Sequence, residues 1–346
     1  MPVKSIEELR HVGAQIFVSC GAPLREAELV IGELIEANLL GLDSHGVQRI
    51  TEYVDSVKSG WTIPGAPVTV LKETATTAIV DSGRNFGAVS SRKMVDIALE
   101  KAQTQMMAVV TAKRSNHVGR LGAWVQKLAD RRMIGLAYAN GGKRGHIVTP
   151  WGGREGRLNT NPIAYAFPTS GHPVVYDIAT SMVPEGKIRV MQKLGKQLPP
   201  GSIQKANGEP TTDPNDFYGP PRGTILPFGS ELGFKGFGLG LLAEIMSSVL
   251  VGEELSEEYN YGNGFTLIAI NPEAFCGSDA FVALMDELHR YVVSCPPAAG
   301  FTEVLMPGDL EFRTREKRLA EGILLDDETW AEIERAGRFV GCSLFA

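Results

Sequence analysis

The feature that most constrains this chain is a change of texture along it. Both ends carry amphipathic helical spacing, whereas the middle alternates short β-type runs with helical stripes. The strand-like runs are Ala78–Val80, Met107–Val110, Ile134–Ala139, Ile163–Phe167, Val174–Ile178 and Phe265–Ile270. Between them, Met94, Ile97 and Ala98, and then Leu121, Trp124, Val125 and Leu128, recur at helical spacing. Short apolar runs rich in β-branched residues read as strands, and i, i+3, i+4, i+7 recurrence reads as a helix face. Strands and helices interleaved in this way predict an α/β unit.

The ends read as helix. Ser5 and Glu8 make a capping box ahead of Leu9, Val12 and Ile16, and a second helix runs from Leu24 through Leu40. Pro64-Gly65-Ala66-Pro67 then breaks the chain. From Glu311 helical spacing returns with Leu319, Ile323, Trp330, Ile333 and Phe339. This order predicts a central α/β domain over residues 76–299 and an outer helical domain built from both chain ends, residues 1–75 plus 300–346. Pro199 to Gly229 reads as a long Gly/Pro-rich connection, uncommon unless it lines a site.

Composition narrows the functional classes. With 346 residues, 43% of them hydrophobic, the chain can bury a large core, and its net charge of -6 argues against a nucleic-acid or membrane-surface role. Arg313, Arg315, Lys317 and Arg318 read as a solvated helix face. Gly236–Val251 is apolar but shorter than a bilayer span and contains Glu244, so it reads as a buried helix. Acids occupy the Met1–Glu8 segment where a signal peptide would be apolar, which predicts a cytoplasmic location. Cys20, Cys276, Cys295 and Cys342 lie far apart without metal-ligand spacing, so reduced thiols and no metal are expected.

Five segments could carry chemistry. In Asp43-Ser44-His45-Gly46-Val47-Gln48-Arg49, a helix capped by Asp43 or Ser44 would put His45, Arg49 and Tyr53 on one face and Val47, Ile50, Val54 and Val57 on another. A proton carrier beside an anion clamp suits a substrate with a carboxylate and a carbonyl or hydroxyl, although a capped helix start with solvated side chains explains the spacing equally well. Ser115-Asn116-His117-Val118-Gly119-Arg120-Leu121-Gly122 follows a strand and precedes a helix, where α/β proteins gather ligands. Pro150-Trp151-Gly152-Gly153-Arg154, continuing to Leu158-Asn159-Thr160-Asn161-Pro162, is compatible with a hydrogen-bonding wall or with ordinary turns. Tyr176-Asp177-Ile178-Ala179-Thr180-Ser181 runs from a strand towards a helix start, whose N–H groups favour anions. Gly233-Phe234-Lys235-Gly236-Phe237-Gly238 sets a lysine among glycines but matches neither a P-loop nor a Rossmann fingerprint.

In this order the segments resemble the malate/L-lactate dehydrogenase family of the second, non-Rossmann type. Relatives there include sulfolactate, ureidoglycolate and 2,3-diketogulonate oxidoreductases and cyclic-imine reductases. Further matching motifs are Gly186-Lys187-Ile188, Pro210-Thr211-Thr212-Asp213-Pro214 and Pro307-Gly308. The resemblance implies a non-Rossmann nicotinamide-binding α/β domain, a homodimer with its site near the subunit interface, and NAD or NADP as cofactor. Carried over by position, it implies that His45 is the proton donor with Ser44 beside it, Arg49 is the carboxylate ligand and Thr160 is a substrate contact. His117 lines the same pocket and in some relatives is the acid/base. Asn140, Asp177, Ile178, Ala179, Thr180, Ser181, Lys235, Gly308 and Asp309 fall where relatives touch the cofactor. Two positions depart from common patterns: Phe234 stands where many relatives have histidine, and Lys187 stands where cyclic-imine reductases tend to carry an acid.

The activity expected is reversible hydride transfer between NAD(P)H and a small 2-oxo acid, giving a 2-hydroxy acid. A histidine suits both directions because its unperturbed pKa lies near working pH. The alternative within the family is reduction of a diketo sugar acid or a cyclic imine carboxylate. More remote are a catalytically silent ligand-binding relative and a hydrolase using Ser44. The hydrolase is disfavoured because adjacent helical residues diverge by about 100° and no nucleophile elbow is present.

Overall fold

The computed structural model describes residues 3–252 and 262–345. Helices α1 (Ile6–Ser19), α2 (Leu24–Leu39) and α3 (Arg49–Lys58) open the chain after a short strand, β1 (Val3–Lys4). The Ser5 hydroxyl accepts the Glu8 N–H, so the cap read from the sequence starts α1. Strands β2 (Thr69–Glu73) and β3 (Thr77–Asp81), helix α4 (Gly87–Gln105), β4 (Met107–Ser115), α5 (Gly122–Ala129), β5 (Ile134–Ala139), β6 (Ile163–Phe167) and β7 (Val174–Ile178) follow. Next come α6 (Glu185–Lys193), β8 (Ile203–Gln204), β9 (Pro210–Thr211), α7 (Pro214–Tyr218), β10 (Thr224–Ile225), α8 (Gly233–Glu244) and β11 (Asn263–Ile270). The chain closes with α9 (Ser278–Val293), α10 (Asp309–Glu321), β12 (Ile323–Leu324) and α11 (Asp327–Phe339).

Seven strands form the main sheet in the order β2-β3-β4-β11-β5-β6-β7. Only β3 and β4 run parallel, and every other neighbour pair is antiparallel. A dinucleotide-binding sheet of the doubly wound kind is parallel throughout its core, so this is an α/β fold of a different type. The central strand β11 sorts its side chains by period two. Phe265, Leu267 and Ala269 are fully buried in the main core, whereas Thr266 turns the other way and donates to the Met246 carbonyl. Helices α4 and α5 cover the first face, and α8 with the π-turn Ile245–Val249 covers the second. The terminal helices share the main core, since Phe17, Ile31, Ile35 and Ile50 pack in one cluster with Met94, Trp124 and Leu267.

Three expectations are corrected. Pro199 to Gly229 is not an unbroken connection: β8, β9 and β10 form a small antiparallel sheet that closes a second core around Phe217, Ile188 and Ile203. Arg313, Arg315 and Arg318 are not a free solvated face. Arg315 pairs with Glu36 at 2.7 Å and Arg318 with Asp43 at 2.6 Å, clamping α10 onto the N-terminal helices, while Arg313 pairs with Glu303. The apolar run around α8 is longer and less buried than expected. Its helical stretch spans Ser230–Val249, 20 residues, long and apolar enough by length and composition to cross a bilayer. Glu244 is sequestered inside the protein, while Leu239, Leu242, Ile245 and Val249 lie exposed.

Candidate active site

The first site is assembled by a side chain on the helix just ahead of the motif. Asn38, near the end of α2, is buried; its Oδ1 accepts the Val47 N–H at 2.8 Å and its Nδ2 donates to Asp43 at 2.6 Å. These bonds hold Asp43–His45 as a single 3₁₀ turn followed by an extended Gly46, where any Cβ would collide with the Asn38 amide. Helix α3 therefore begins at Arg49, and His45 and Arg49 do not share a continuous helical face as the spacing suggested. They still converge. The Arg49 Nε donates to the Ser44 carbonyl at 2.7 Å and its Nη1 pairs with Glu52, leaving Nη2 without a partner among the described residues. Val47, Ile50 and Val54 are buried as predicted, which anchors α3.

His117 arrives from the other side, in the loop between β4 and α5. Asn116 ties that loop down by donating to the carbonyls of Arg84 and Asn85 at 2.8 and 3.0 Å, and Gly119 turns it with φ +74°. The His45 and His117 rings stack with centroids 5.8 Å apart and planes 20° from parallel. Each ring is held through its Nδ1, His45 at 3.1 Å from the Ser44 hydroxyl and His117 at 2.8 Å from the Tyr53 phenol. Neither Nε2 has a partner among the described residues. Burial pushes the Tyr53 phenol pKa up, so it stays protonated and can donate to Nδ1; His117 then carries its own proton on Nε2.

Both imidazoles are held far below their ordinary pKa. His45 is pushed down to about 3 by burial first, then by His117 and by the cationic Arg49 and Arg120; His117 is pushed down to about 3 by burial and Arg49. Both shifts favour the neutral imidazole, away from the unperturbed value near working pH. The Ser44–His45 contact corrects one point, because in a 3₁₀ turn these neighbours do meet. Divergence along a helix is no argument against a serine–histidine pair here.

His45, Tyr53, Val118, Gly119, Arg120 and Trp124 line a small cleft of about 10 Å³, room for about one water. Arg120 also lines a second cleft, of about 50 Å³, together with Gln126, Asp177, Gly308 and Glu311. Asp177 accepts the Gly122 N–H at 2.6 Å, and burial pushes its pKa up. Gly308 sits at φ +101°, and a Cβ there would lie 3.3 Å from both Val175 and Phe312. Asp309 accepts the Met306 N–H at 2.8 Å, closing the turn before α10. Ile178 and Ala179 are half-buried where β7 ends.

A third group of candidates meets around Glu244, which the sequence reading had not selected. Asn140 and Asn161 each donate an amide N–H to its carboxylate at 2.9 Å, and Asn140 also accepts the Gly264 N–H at 2.7 Å. Thr180 joins them through the Asn161 and Thr160 carbonyls. The expected helix start at Thr180–Ser181 is absent. Thr180 N donates to the Thr160 carbonyl, Ser181 donates to the Val183 carbonyl, and α6 begins only at Glu185. Lys235 lies exposed on the first turn of α8, 6.0 Å from the Phe234 ring. The Trp151-Gly152-Gly153-Arg154 segment borders an open groove with Gln204 and Asn207. The structure thus joins Ser44, His45, Arg49 and His117 directly, adds Tyr53 and Arg120 to them, and keeps Lys235 outside this cluster.

Paired imidazoles beside a guanidinium, on a mixed sheet that is not a Rossmann sheet, are the equipment of a hydroxy-acid oxidoreductase of the non-Rossmann kind. The chain belongs to the malate/L-lactate dehydrogenase family, whose model matches residues 4–334. It is 33% identical over 345 residues to malate dehydrogenase of Pyrococcus abyssi, covering 97% of this chain and 94% of that protein. It is 32% identical over 331 residues to L-sulfolactate dehydrogenase of Methanocaldococcus jannaschii, covering 94% and 93%. The solved structure of a putative malate/lactate dehydrogenase from E. coli matches with a TM-score of 0.90 at 31% identity, over 99% of this chain and 96% of the other.

Proposed function

We propose that this protein interconverts a small 2-hydroxy acid and its 2-oxo acid, using NAD or NADP. The observation that carries the reading is the stacked His45–His117 pair with free Nε2 atoms, flanked by Arg49. The Arg49 Nη2 edge binds the substrate carboxylate, a grip that a planar guanidinium makes directional. In oxidation a neutral imidazole accepts the 2-hydroxyl proton, and in reduction an imidazolium returns it to the oxo oxygen. His45 is the better proton carrier, because the exposed Ser44 hydroxyl on its Nδ1 offers a route to water. His117, fixed by buried Tyr53, is suited to hold the 2-oxygen through its Nε2–H. Since both rings are neutral in the empty site, reduction requires proton uptake as the anionic substrate binds.

We place part of the dinucleotide at the second cleft, where Arg120 and Asp177 supply polar contacts beside Gly308. When bound, the dinucleotide supplies or accepts the hydride. The choice between NAD and NADP belongs to the test. We further read the protein as a cytoplasmic homodimer. Support comes from the exposed apolar residues Leu242, Ile245 and Val249 and, separately, from Leu284, Leu288 and Tyr291 on α9, no residue of which is fully buried. The test is a panel of 2-oxo acids with NADH and NADPH separately, following absorbance of the reduced cofactor. Turnover of at least one oxo acid supports the proposal, and turnover of none refutes it.

A further inference from the structure

Trp151-Gly152-Gly153-Arg154 is a motif to which hydride transfer gives no part. It borders a groove of about 580 Å³, which shares no lining residue with the two clefts at Arg120. That volume falls within the ~300–1,000 Å³ of small-molecule sites. Gln204, on β8, ties the motif down. Its Nε2 donates to the Gly153 carbonyl and to the Thr224 hydroxyl, both at 3.0 Å. Both amide hydrogens are thereby used, which fixes the orientation of the amide and leaves Oε1 an acceptor without a partner among the described residues. Gln204 is only 6% exposed, yet it lines the groove and its Oε1 is not sealed from solvent. An unpaired acceptor on a buried side chain calls for a donor.

The other walls narrow the kind of ligand. Trp151 stays 47% exposed although its ring rests against Gly233, where a Cβ would come within 2.5 Å of it. Phe234 meets that ring edge-on, with centroids 6.5 Å apart. A supported, half-open indole is a stacking platform for a planar ring. Arg154 stands beside Gly208, where a Cβ would lie 3.5 Å from the Arg154 Cβ. It makes no ion pair among the described residues, the adjacent Glu155 being paired with Arg157, and no carboxylate lines the groove. Asn207 accepts the Glu209 N–H on Oδ1 at 3.0 Å, so its Nδ2 is left as a donor. The groove therefore offers an aromatic face, an acceptor, a donor and one uncompensated cation.

We propose that this groove is a second ligand site, for a purine nucleoside monophosphate. The base stacks on Trp151 and gives an N–H to Gln204 Oε1, and the phosphate pairs with Arg154. One unpaired guanidinium suits one phosphate rather than a chain of them. The site stands independently of the hydride-transfer reading. The experiment is calorimetric titration of the full-length protein with AMP and with GMP, alone and in excess NADH or NADPH. Adenosine and ribose 5-phosphate, each lacking one half of the ligand, are titrated beside them. At least one nucleotide is expected to bind in both conditions, about tenfold or more tighter than either half. Trp151→Ala should weaken it about 5- to 150-fold, the worth of one stacked base, and Arg154→Met about 10- to 100-fold with adenosine unaffected. Both side chains are exposed, and a melting temperature near wild type checks that the variants fold. No binding of either nucleotide below about 1 mM, displacement by the nicotinamide cofactor, or an affinity indifferent to both substitutions overturns the assignment.

Discussion

Replacing Tyr53 with phenylalanine isolates one hydrogen bond. The ring packs among Phe17 and Phe86, with centroids 6.3 and 6.2 Å away, and phenylalanine preserves that packing. What disappears is the 2.8 Å contact to His117 Nδ1, leaving a ring nitrogen unpaired in a largely desolvated place. An orphaned buried polar group costs about 1–3 kcal/mol. If that cost falls on the transition state, where His117 must present Nε2–H, each ~1.4 kcal/mol is tenfold in rate. Tyr53→Phe should then lower kcat by roughly 5- to 150-fold, with a smaller effect on KM, because Arg49 is untouched. A structural role alone would lower the melting temperature without this split. Steady-state kinetics on whichever oxo acid is turned over, with a pH profile, makes the measurement. A folded variant whose kcat stays within about twofold of wild type would show that the phenol does not fix the catalytic tautomer.

Three more expectations follow from the same geometry. Arg49→Lys cannot hold the Ser44 carbonyl and Glu52 while gripping a carboxylate, so KM for the oxo acid should rise about 10- to 100-fold; an unchanged KM removes the clamp. Because His45 and His117 stay neutral down to about pH 3 when folded but protonate near pH 6.5 when unfolded, the unfolded state binds more protons between those values. Stability is therefore lost as pH falls from about 6.5 towards 3, by at most about 1.4 kcal/mol per pH unit for each ring and less in proportion to its exposure. Urea titrations at pH 7, 6 and 5 check this, and a curve that stays flat in wild type, or as steep in a His45→Asn/His117→Asn variant, contradicts it. Glu244→Leu would leave one N–H of each of the Asn140 and Asn161 amides without its acceptor, Asn161 keeping its bond to the Gly240 carbonyl, at about 2–6 kcal/mol for the two, whereas a loss below about 1 kcal/mol would mean that water replaces the carboxylate.

Much of the sheet was legible because its strands are buried and rich in β-branched residues. Ile134–Ala139, Ile163–Phe167 and Val174–Ile178 carry the same bounds in sequence and structure. Strand β2 was not legible, since all five of its residues are exposed and no inside–outside alternation marks it. No residue of helix α9 is fully buried among the described residues, and Leu284, Leu288 and Tyr291 of its apolar stripe stay exposed. At the site, the residue types were readable but their geometry was not. The turn at Asp43–His45 is held by Asn38, on the preceding helix, and by Arg318, a contact that lies outside any local window. Glu244 was visible only as a charge interrupting an apolar run, and that interruption was the signal for the network it centres. Arg120 stood inside the His117 motif all along; only its burial and its bond to the neutral Gln126 amide distinguish it from a surface arginine.

The central claim is that the His45–His117 pair moves the proton that accompanies hydride transfer. Its most direct test is kcat/KM for oxo-acid-dependent oxidation of the reduced nicotinamide cofactor, measured in wild type and in the His45→Ala/His117→Ala double variant. General acid–base catalysis of this kind is worth about 10²–10⁴-fold, so the double variant should fall by that amount while still binding the cofactor. A folded double variant that keeps near-wild-type turnover would contradict the account.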